Sequence, residues 1–392
     1  MTKLFNLKSF KEFLESSTGG GIILFSCVIL ALLFANSPFG PTLLHFLETK
    51  IGFENESIHL NYSIKQWIDD GLMAIFFLLV GLEIKRELVE GELASPKKAA
   101  LPIFAAIGGA IVPALIYAAF NYNQETHHGW GIPMATDIAF ALAVISMLGS
   151  KVPSSLKIFL AALAIVDDLL AILVIAIFYS GELHYTYLLY ALGLFLLQIS
   201  FNKFGIKSII FYLIPGVFMW YFIHHSGIHA TIAGVLTAMT LPTTPDDKES
   251  PLEKLEHILL KPVNFIIIPI FAFVNTAIVL HTEMIGGLTS SMGLGIILGL
   301  IVGKSIGILF TSWVCVKSKI ANMPEGATWK HMFGVGLLGG IGFTMSIFVA
   351  MLSFKNPIHI EEAKLAVLLA SLTAGLLGYS FLSMLNKKQN KL

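Results

Sequence analysis

One stretch constrains this chain more than any other. From Ile158 to Tyr179 it reads IFLAALAIVDDLLAILVIAIFY, 22 residues that are apolar or small except for Asp167 and Asp168. As a helix rising ~1.5 Å per residue it would span about 33 Å, close to the hydrocarbon thickness of a bilayer. A carboxylate at the centre of such a helix costs about 2.5–3.5 kcal/mol on insertion scales, and here there are two side by side. Groups placed at that cost need a cavity, a proton or a cation. The rest of the chain has the same character: 56% hydrophobic, 13% charged, with a mean hydropathy of +0.80. That composition describes a polytopic all-α membrane protein.

Net charge is zero, which gives no basis for nucleic-acid binding. Cys27 and Cys315 both fall in apolar segments and read as buried thiols rather than a disulfide. The N-terminal MTKLFNLKSFKEFLESS is amphipathic and lacks a short apolar core with a small-residue cleavage site, so no signal peptide is expected. Hydropathy predicts twelve spans, at about 19–36, 68–86, 99–120, 130–148, 156–179, 184–201, 207–223, 227–241, 258–280, 290–315, 330–353 and 362–385. They form one transmembrane domain over residues 1–392, with no linker. If the N-terminus is cytoplasmic, twenty Lys and Arg fall in inside segments and four in outside ones (Lys50, Lys65, Lys355, Lys364). This asymmetry places both termini in the cytoplasm. In the outside loop KIGFENESIHLNYS, Ile51 and Phe53, then Ile58, Leu60 and Tyr62, alternate around Glu54–Ser57. This reads as a short β-hairpin, although an irregular loop fits the same residues. A hairpin there would want a partner strand, such as a second copy.

Four charged residues lie deep within spans: Asp137, Asp167, Asp168 and Lys304. Asp137, Asp167 and Lys304 each stand eleven residues from the inner end of their span, about 16 Å from the cytoplasmic edge. Three spans that bring charge to one depth point to one shared site. Carboxylates, Thr136 and backbone carbonyls are hard oxygen donors, suited to Na⁺ or Li⁺ rather than a soft metal. Two neighbouring carboxylates out of water hold protons when no cation is bound, and an arriving cation expels them. That competition is the physical basis of cation/proton exchange. A buried salt bridge between Lys304 and one aspartate would account for only part of the charge. Pro133 breaks the helix ladder just before Thr136 and Asp137. Gly339, Gly340 and Gly342 make the eleventh span a second candidate interruption. The two spans run in opposite directions, so spans 3–5 and 10–12 could be inverted repeats with paired broken helices at the midplane; a Gly-rich helix alone equally marks close packing. An intramembrane aspartyl protease would need its two aspartates on facing helices. A sodium channel would place rings of acids around an oligomeric pore.

The segments MATDIAFAL, AIVDDLLAI, FFLLVGLEIKREL, SGIHATIAGV, LEHIL, PIFAFVNTA, GLIVGKSIGI and GGIGFTMSIF, in order over nearly the whole chain, closely resemble the NhaA family of bacterial sodium/proton antiporters. The resemblance implies a transporter of the bacterial inner membrane and not an enzyme, with Na⁺, Li⁺ and H⁺ as transported ions and no cofactor. It implies that Asp167 and Asp168 bind the cation, that Asp137 and Thr136 lie where two interrupted helices cross, and that Lys304 supports the site. It also implies electrogenic exchange for sodium and pH homeostasis, and a homodimer joined through the outside hairpin at about 50–62. A second group of residues sits at the cytoplasmic ends of spans two and nine: Glu83, Arg86, Glu87 and Glu90, with Glu253, Lys254, Glu256 and His257. By composition these are helix ends with salt bridges; by the resemblance they are the pH sensor, and His229 is a further candidate. Acidic Glu253 stands where the family usually has a basic residue, and Leu260 where it can have histidine, so the activation pH need not match that of better-known members.

Overall fold

The computed structural model describes residues 17–55, 59–243 and 249–389. Lys3, Lys8, Lys11, Lys248, Lys391 and the hairpin tip at 56–58 lie outside them. The described residues are 77% helical with a small two-stranded sheet. It opens with α1 (Ser17–Ala35), α2 (Gly40–Glu48), β1 (Lys50–Glu54) and β2 (His59–Ser63). A π-helical turn at Trp67–Leu72 leads into α3 (Met73–Val89), followed by α4 (Pro96–Phe120). A 3₁₀ segment at Glu125–Met134 precedes α5 (Ile138–Met147). Next come α6 (Ser154–Phe178), α7 (Tyr185–Lys203), α8 (Ile210–His224), α9 (Ile232–Thr240), α10 (Pro251–Pro262), α11 (Ile268–Asn275) and α12 (Thr282–Leu288). The chain ends with α13 (Ser291–Leu298), α14 (Lys304–Lys317), α15 (Trp329–Gly339), α16 (Phe343–Ser353) and α17 (Pro357–Gln389).

Among the described residues, six helices are long and apolar enough to cross a membrane. Three bent pairs raise the number to nine if each pair is one span: residues 19–48 (108°), 125–147 (44°) and 329–353 (47°). The other three expected spans correspond to α3, α8 and α9, of 17, 15 and nine residues. The eighth expected span begins late for a local reason. Gly227 has φ +88° and its carbonyl accepts the Gly181 N–H at 2.7 Å. A Cβ there would stand 2.0 Å from the Glu182 carbonyl oxygen, so only glycine makes this turn, and α9 starts after it. The hairpin is present: β1 and β2 are antiparallel, with Ile51 opposite Tyr62 and Phe53 opposite Leu60.

The chain forms two compact units. The first comprises residues 17–26, Ser95–Ala171 and 280–389; the second comprises Cys27–Ala94 and Ile172–Val279. In the second unit, Leu78 and Leu82 of α3 pack with Tyr212 of α8, Ala238 of α9, and Leu252 and Leu255 of α10. In the first, two interrupted helices meet. Pro133 lacks an N–H, and the backbone beyond it is extended at Ala135 and Asp137 (ψ 150° and 98°) before α5 begins. On the other side, α15 stops at Gly339 and α16 starts at Phe343. The breaks are joined by the Asp137 N–H donating to the Ile341 carbonyl at 2.7 Å and by Ser346 Oγ donating to the Ile132 carbonyl at 2.7 Å. A Cβ on Gly340 would come within 2.3 Å of the Leu300 carbonyl oxygen, so this position is held by close approach.

Candidate functional site

The helix breaks exist because backbone groups at each have partners on the other. Asp137 is the N-cap of α5, with its Oδ1 accepting the Phe140 N–H at 3.0 Å. Its Oδ2 accepts the Thr344 N–H at 3.1 Å and the Thr344 hydroxyl. One carboxylate thus caps the first turns of both α5 and α16, where two positive helix ends converge. Ser371 of α17 accepts the Phe343 N–H at 3.0 Å and completes the α16 end. Thr344 and Ser371 were not visible as site residues in the sequence, since each lies far along the chain from Asp137.

Thr136, one residue earlier, turns its hydroxyl toward two acceptors: Asp167 Oδ2 at 2.6 Å and the Gly339 carbonyl at 2.8 Å. Lys304 Nζ, fully buried, donates to the same Oδ2 of Asp167. Asp167 Oδ1 is buried and makes no hydrogen bond among the described residues. Asp168 is equally buried. Lys304 begins α14 directly after a π-helical turn at Gly299–Gly303, an irregularity that resets the face on which the following side chain projects. The charges expected at one depth are therefore gathered in the first unit: Thr136, Asp167 and Lys304 in contact, and Asp137 one residue away along the chain. Three carboxylates and one ammonium leave two negative charges when all are ionised. Helix ends, protons or cations must balance them.

The second group of sequence-selected residues separates into three places, all in the second unit. Arg86 Nη1 donates to Glu256 Oε1 at 2.6 Å and Nη2 to Glu87 Oε1 at 3.1 Å, while Glu87 Oε2 accepts the Glu92 N–H at 2.9 Å. Glu83 is half-buried, one turn before Glu87. Glu253 instead serves a capping box with Ser250 at the start of α10, and Lys254 is exposed. His257, also exposed, pairs with Glu249 at 2.9 Å. His229 faces neither group: its Nδ1 is 3.9 Å from Asp70 Oδ1. Asp69 and Asp70 were missed by reading depth alone, because they open their span rather than sit at its middle. Asp69 accepts from Asn275 Nδ2 at 2.6 Å. Lys85 was missed as well; its ammonium caps the end of α9 through the Met239 and Leu241 carbonyls.

The family model described as Na⁺/H⁺ antiporter 1 matches residues 11–382. The chain belongs to this family. The antiporter named NhaA 2 of Flavobacterium johnsoniae is 61% identical over 392 residues, covering all of this chain and 96% of that protein. The one named NhaA 2 of Clostridium beijerinckii is 50% identical over 390 residues, 98% of this chain and 96% of that protein. The one named NhaA of Flavobacterium psychrophilum is 50% identical over 370 residues, 94% of each. The family and the apolar helices make this a multi-pass membrane protein, in which charge buried inside a spanning segment is costly and rare.

Proposed function

We propose that this chain is a secondary active transporter that exchanges Na⁺ or Li⁺ for H⁺, with the cation and protons competing for Asp167 and Asp168. The relatives are named as Na⁺/H⁺ antiporters, but the observation that carries the mechanism is Asp167. Its carboxylate is buried, one oxygen is held by Thr136 and Lys304, and the other meets no donor. Hard oxygens suited to a small cation are linked to this carboxylate: Asp168 is the next residue, and the Thr136 hydroxyl bridges Asp167 to the Gly339 carbonyl. A cation that binds brings positive charge and expels protons; protons that return expel the cation. Release of more protons than cations taken up makes the exchange electrogenic. The working direction is Na⁺ out of the cytoplasm and H⁺ in, by alternating access. Proton flux in sealed proteoliposomes tests the reading. An imposed Na⁺ gradient should drive protons the opposite way; downhill Na⁺ movement without proton counterflow would exclude exchange.

The same reading takes the nine candidate spans and the shorter α3, α8 and α9 as twelve crossings of the inner membrane, with both termini cytoplasmic. The similar bends of the fourth and eleventh spans, 44° and 47°, support inverted repeats. Asp137 offsets the two helix ends rather than binding the cation. Asparagine there has one acceptor oxygen for two helix ends, so Asp137→Asn should cost about 1 kcal/mol of cap stability and raise the Na⁺ KM several-fold with maximal rate largely kept. Vesicle kinetics measure this, and an unchanged KM would remove Asp137 from the electrostatics of the site.

Dimerisation through paired hairpins belongs to the same proposal. Deleting residues 52–61 should shift the protein to monomer in mild detergent while Na⁺ binding persists; a deletion protein that stays dimeric would place the contact elsewhere. For regulation, the Arg86–Glu87–Glu256 network is favoured over His257, because its members are in contact and partly shielded from water. Glu256→Gln should displace the activity profile along the pH axis with the maximal rate retained, and His257→Ala should displace it less. A fixed profile with weakened Na⁺ affinity would move Glu256 into the binding path.

A further inference from the structure

The second unit contains an apolar cavity of about 280 Å³ between α3, α8 and α9. Its lining is built of small residues, among them Gly71, Ala74, Gly216 and Ala233. Ile75 and Val217 stand at its open side, 36% and 65% exposed. At one end Trp67 and Trp220 stack, with ring centroids 5.9 Å apart and planes at 22°. Both indole N–H groups are already satisfied, Trp67 by the Ile51 carbonyl at 2.8 Å and Trp220 by the Asp70 carbonyl at 3.0 Å. The rings therefore contribute only apolar surface to the lining. A second apolar hollow shares Trp67 and Gly71 and continues past Ile64 to Ile51 of the hairpin.

Dimensions decide what fits. Leu78 at the inner end and Trp67 at the outer end are eleven residues apart, about 16 Å along a helix. That is roughly half of the ~30 Å hydrocarbon core, the depth of one leaflet. A polymethylene chain, narrow and wholly apolar, suits a groove of this depth lined by small residues. Stacked tryptophans belong at headgroup level, which puts the mouth at the membrane surface. Lys50 and Lys65, next in sequence to Ile51 and Ile64, add positive charge there.

We propose that this slot binds one acyl chain of a phospholipid, its carbonyl end at the Trp67–Trp220 stack and its methyl end toward Leu78 and Thr237. Assigning it to the outer leaflet rests on the topology proposed above; the binding itself does not. The test uses Trp67 and Trp220 as reporters, with Trp130, Trp313 and Trp329 replaced by Phe, in vesicles that mix ordinary and brominated phosphatidylcholine. Quenching should exceed what the bulk fraction of brominated lipid gives, and should be stronger for bromine near the carbonyl end than near the methyl end. Ala74→Phe fills the slot and should return quenching to the bulk dependence. Gly71→Leu is the second filling variant, since a Cβ there meets only the Trp67 ring, at 3.4 Å. Phosphorus analysis of washed, detergent-solubilised protein should show the parent retaining a phospholipid that both variants lose. Quenching that follows bulk composition in parent and variants alike overturns the proposal. So does loss of a dimer in both variants with lipid content unchanged, which would make the slot a contact between copies. Exchange activity is not the readout, so failure of the lipid proposal and failure of the transport reading are distinguishable.

Discussion

Asp168→Asn should abolish the coupling between Na⁺ binding and proton release. The substitution keeps the shape of the side chain and removes one negative charge and one titrating group from a pair that is buried on both sides. With only one carboxylate left to deprotonate, the centre should release about one proton fewer per Na⁺ bound, and net transport should fall to background. Asp167→Asn should do the same, with additional damage: an amide placed against Lys304 and the Thr136 hydroxyl loses a charge-assisted pair and leaves the ammonium buried without a counter-ion. Calorimetry of Na⁺ binding in buffers of different ionisation enthalpy counts the protons. If Asp168→Asn releases as many as the parent, cation and protons do not share these carboxylates.

Lys304→Ala should move Na⁺ binding toward alkaline pH. Lys304 is the buried cation in contact with Asp167. Without it the carboxylates hold their protons more firmly, and the cation must displace them at higher pH. An opposite charge at contact distance is worth about 1–3 pH units, so the midpoint of Na⁺ binding should rise by that order. The charge moved per Na⁺ separates two roles. If Lys304 only neutralises the resting site, the variant still binds Na⁺ above the new midpoint; if its ammonium carries a transported proton, binding survives but the charge moved per Na⁺ changes, as solid-supported-membrane currents would register. A midpoint that stays put would mean that Asp167 is balanced by something other than Lys304. The variant also leaves a buried carboxylate uncompensated, which costs about 3–5 kcal/mol unless it takes up a proton. Its thermal stability should therefore be recovered at low pH and lost as pH rises.

The meeting of Thr136, Asp167 and Lys304 was legible because a helix converts residue count into distance. That is why Asp137, Asp167 and Lys304, on three separate spans, could be assigned to one level, and why Thr136 came with them. The choice between Asp167 and Asp168 as partner of Lys304 was not legible. Adjacent residues differ by about 100° in direction, and the direction of Lys304 is set by a π-turn at Gly299–Gly303 that leaves no pattern in the sequence. The second helix end capped by Asp137 was hidden for another reason: its donor, Thr344, is 207 residues away. At the other face, charge spacing on α3 correctly suggested a network but gave no way to choose among α10 residues. Glu256 joins Arg86, whereas Glu253 is consumed by a capping box and His257 turns toward Glu249. Asp69 and Asp70 escaped because a search for midplane charge passes over acids at a span's first turn.

The Thr136 hydroxyl has one hydrogen and two acceptors in range, and the count of hydrogens has a consequence. While Asp167 is ionised, that hydrogen is drawn to the carboxylate and the Gly339 carbonyl goes without it. If a proton takes the place of Lys304 on Oδ2, the acid becomes the donor; Thr136 then accepts from it, and its own hydrogen swings to Gly339. A rotation about a single C–O bond thus writes the protonation state of Asp167 onto the main chain of the opposite broken helix. The carbonyl is bare when the proton has left and covered when it has returned. In the exchange proposed above, that correlation would offer a fresh oxygen to the cation only in the state from which the proton is gone.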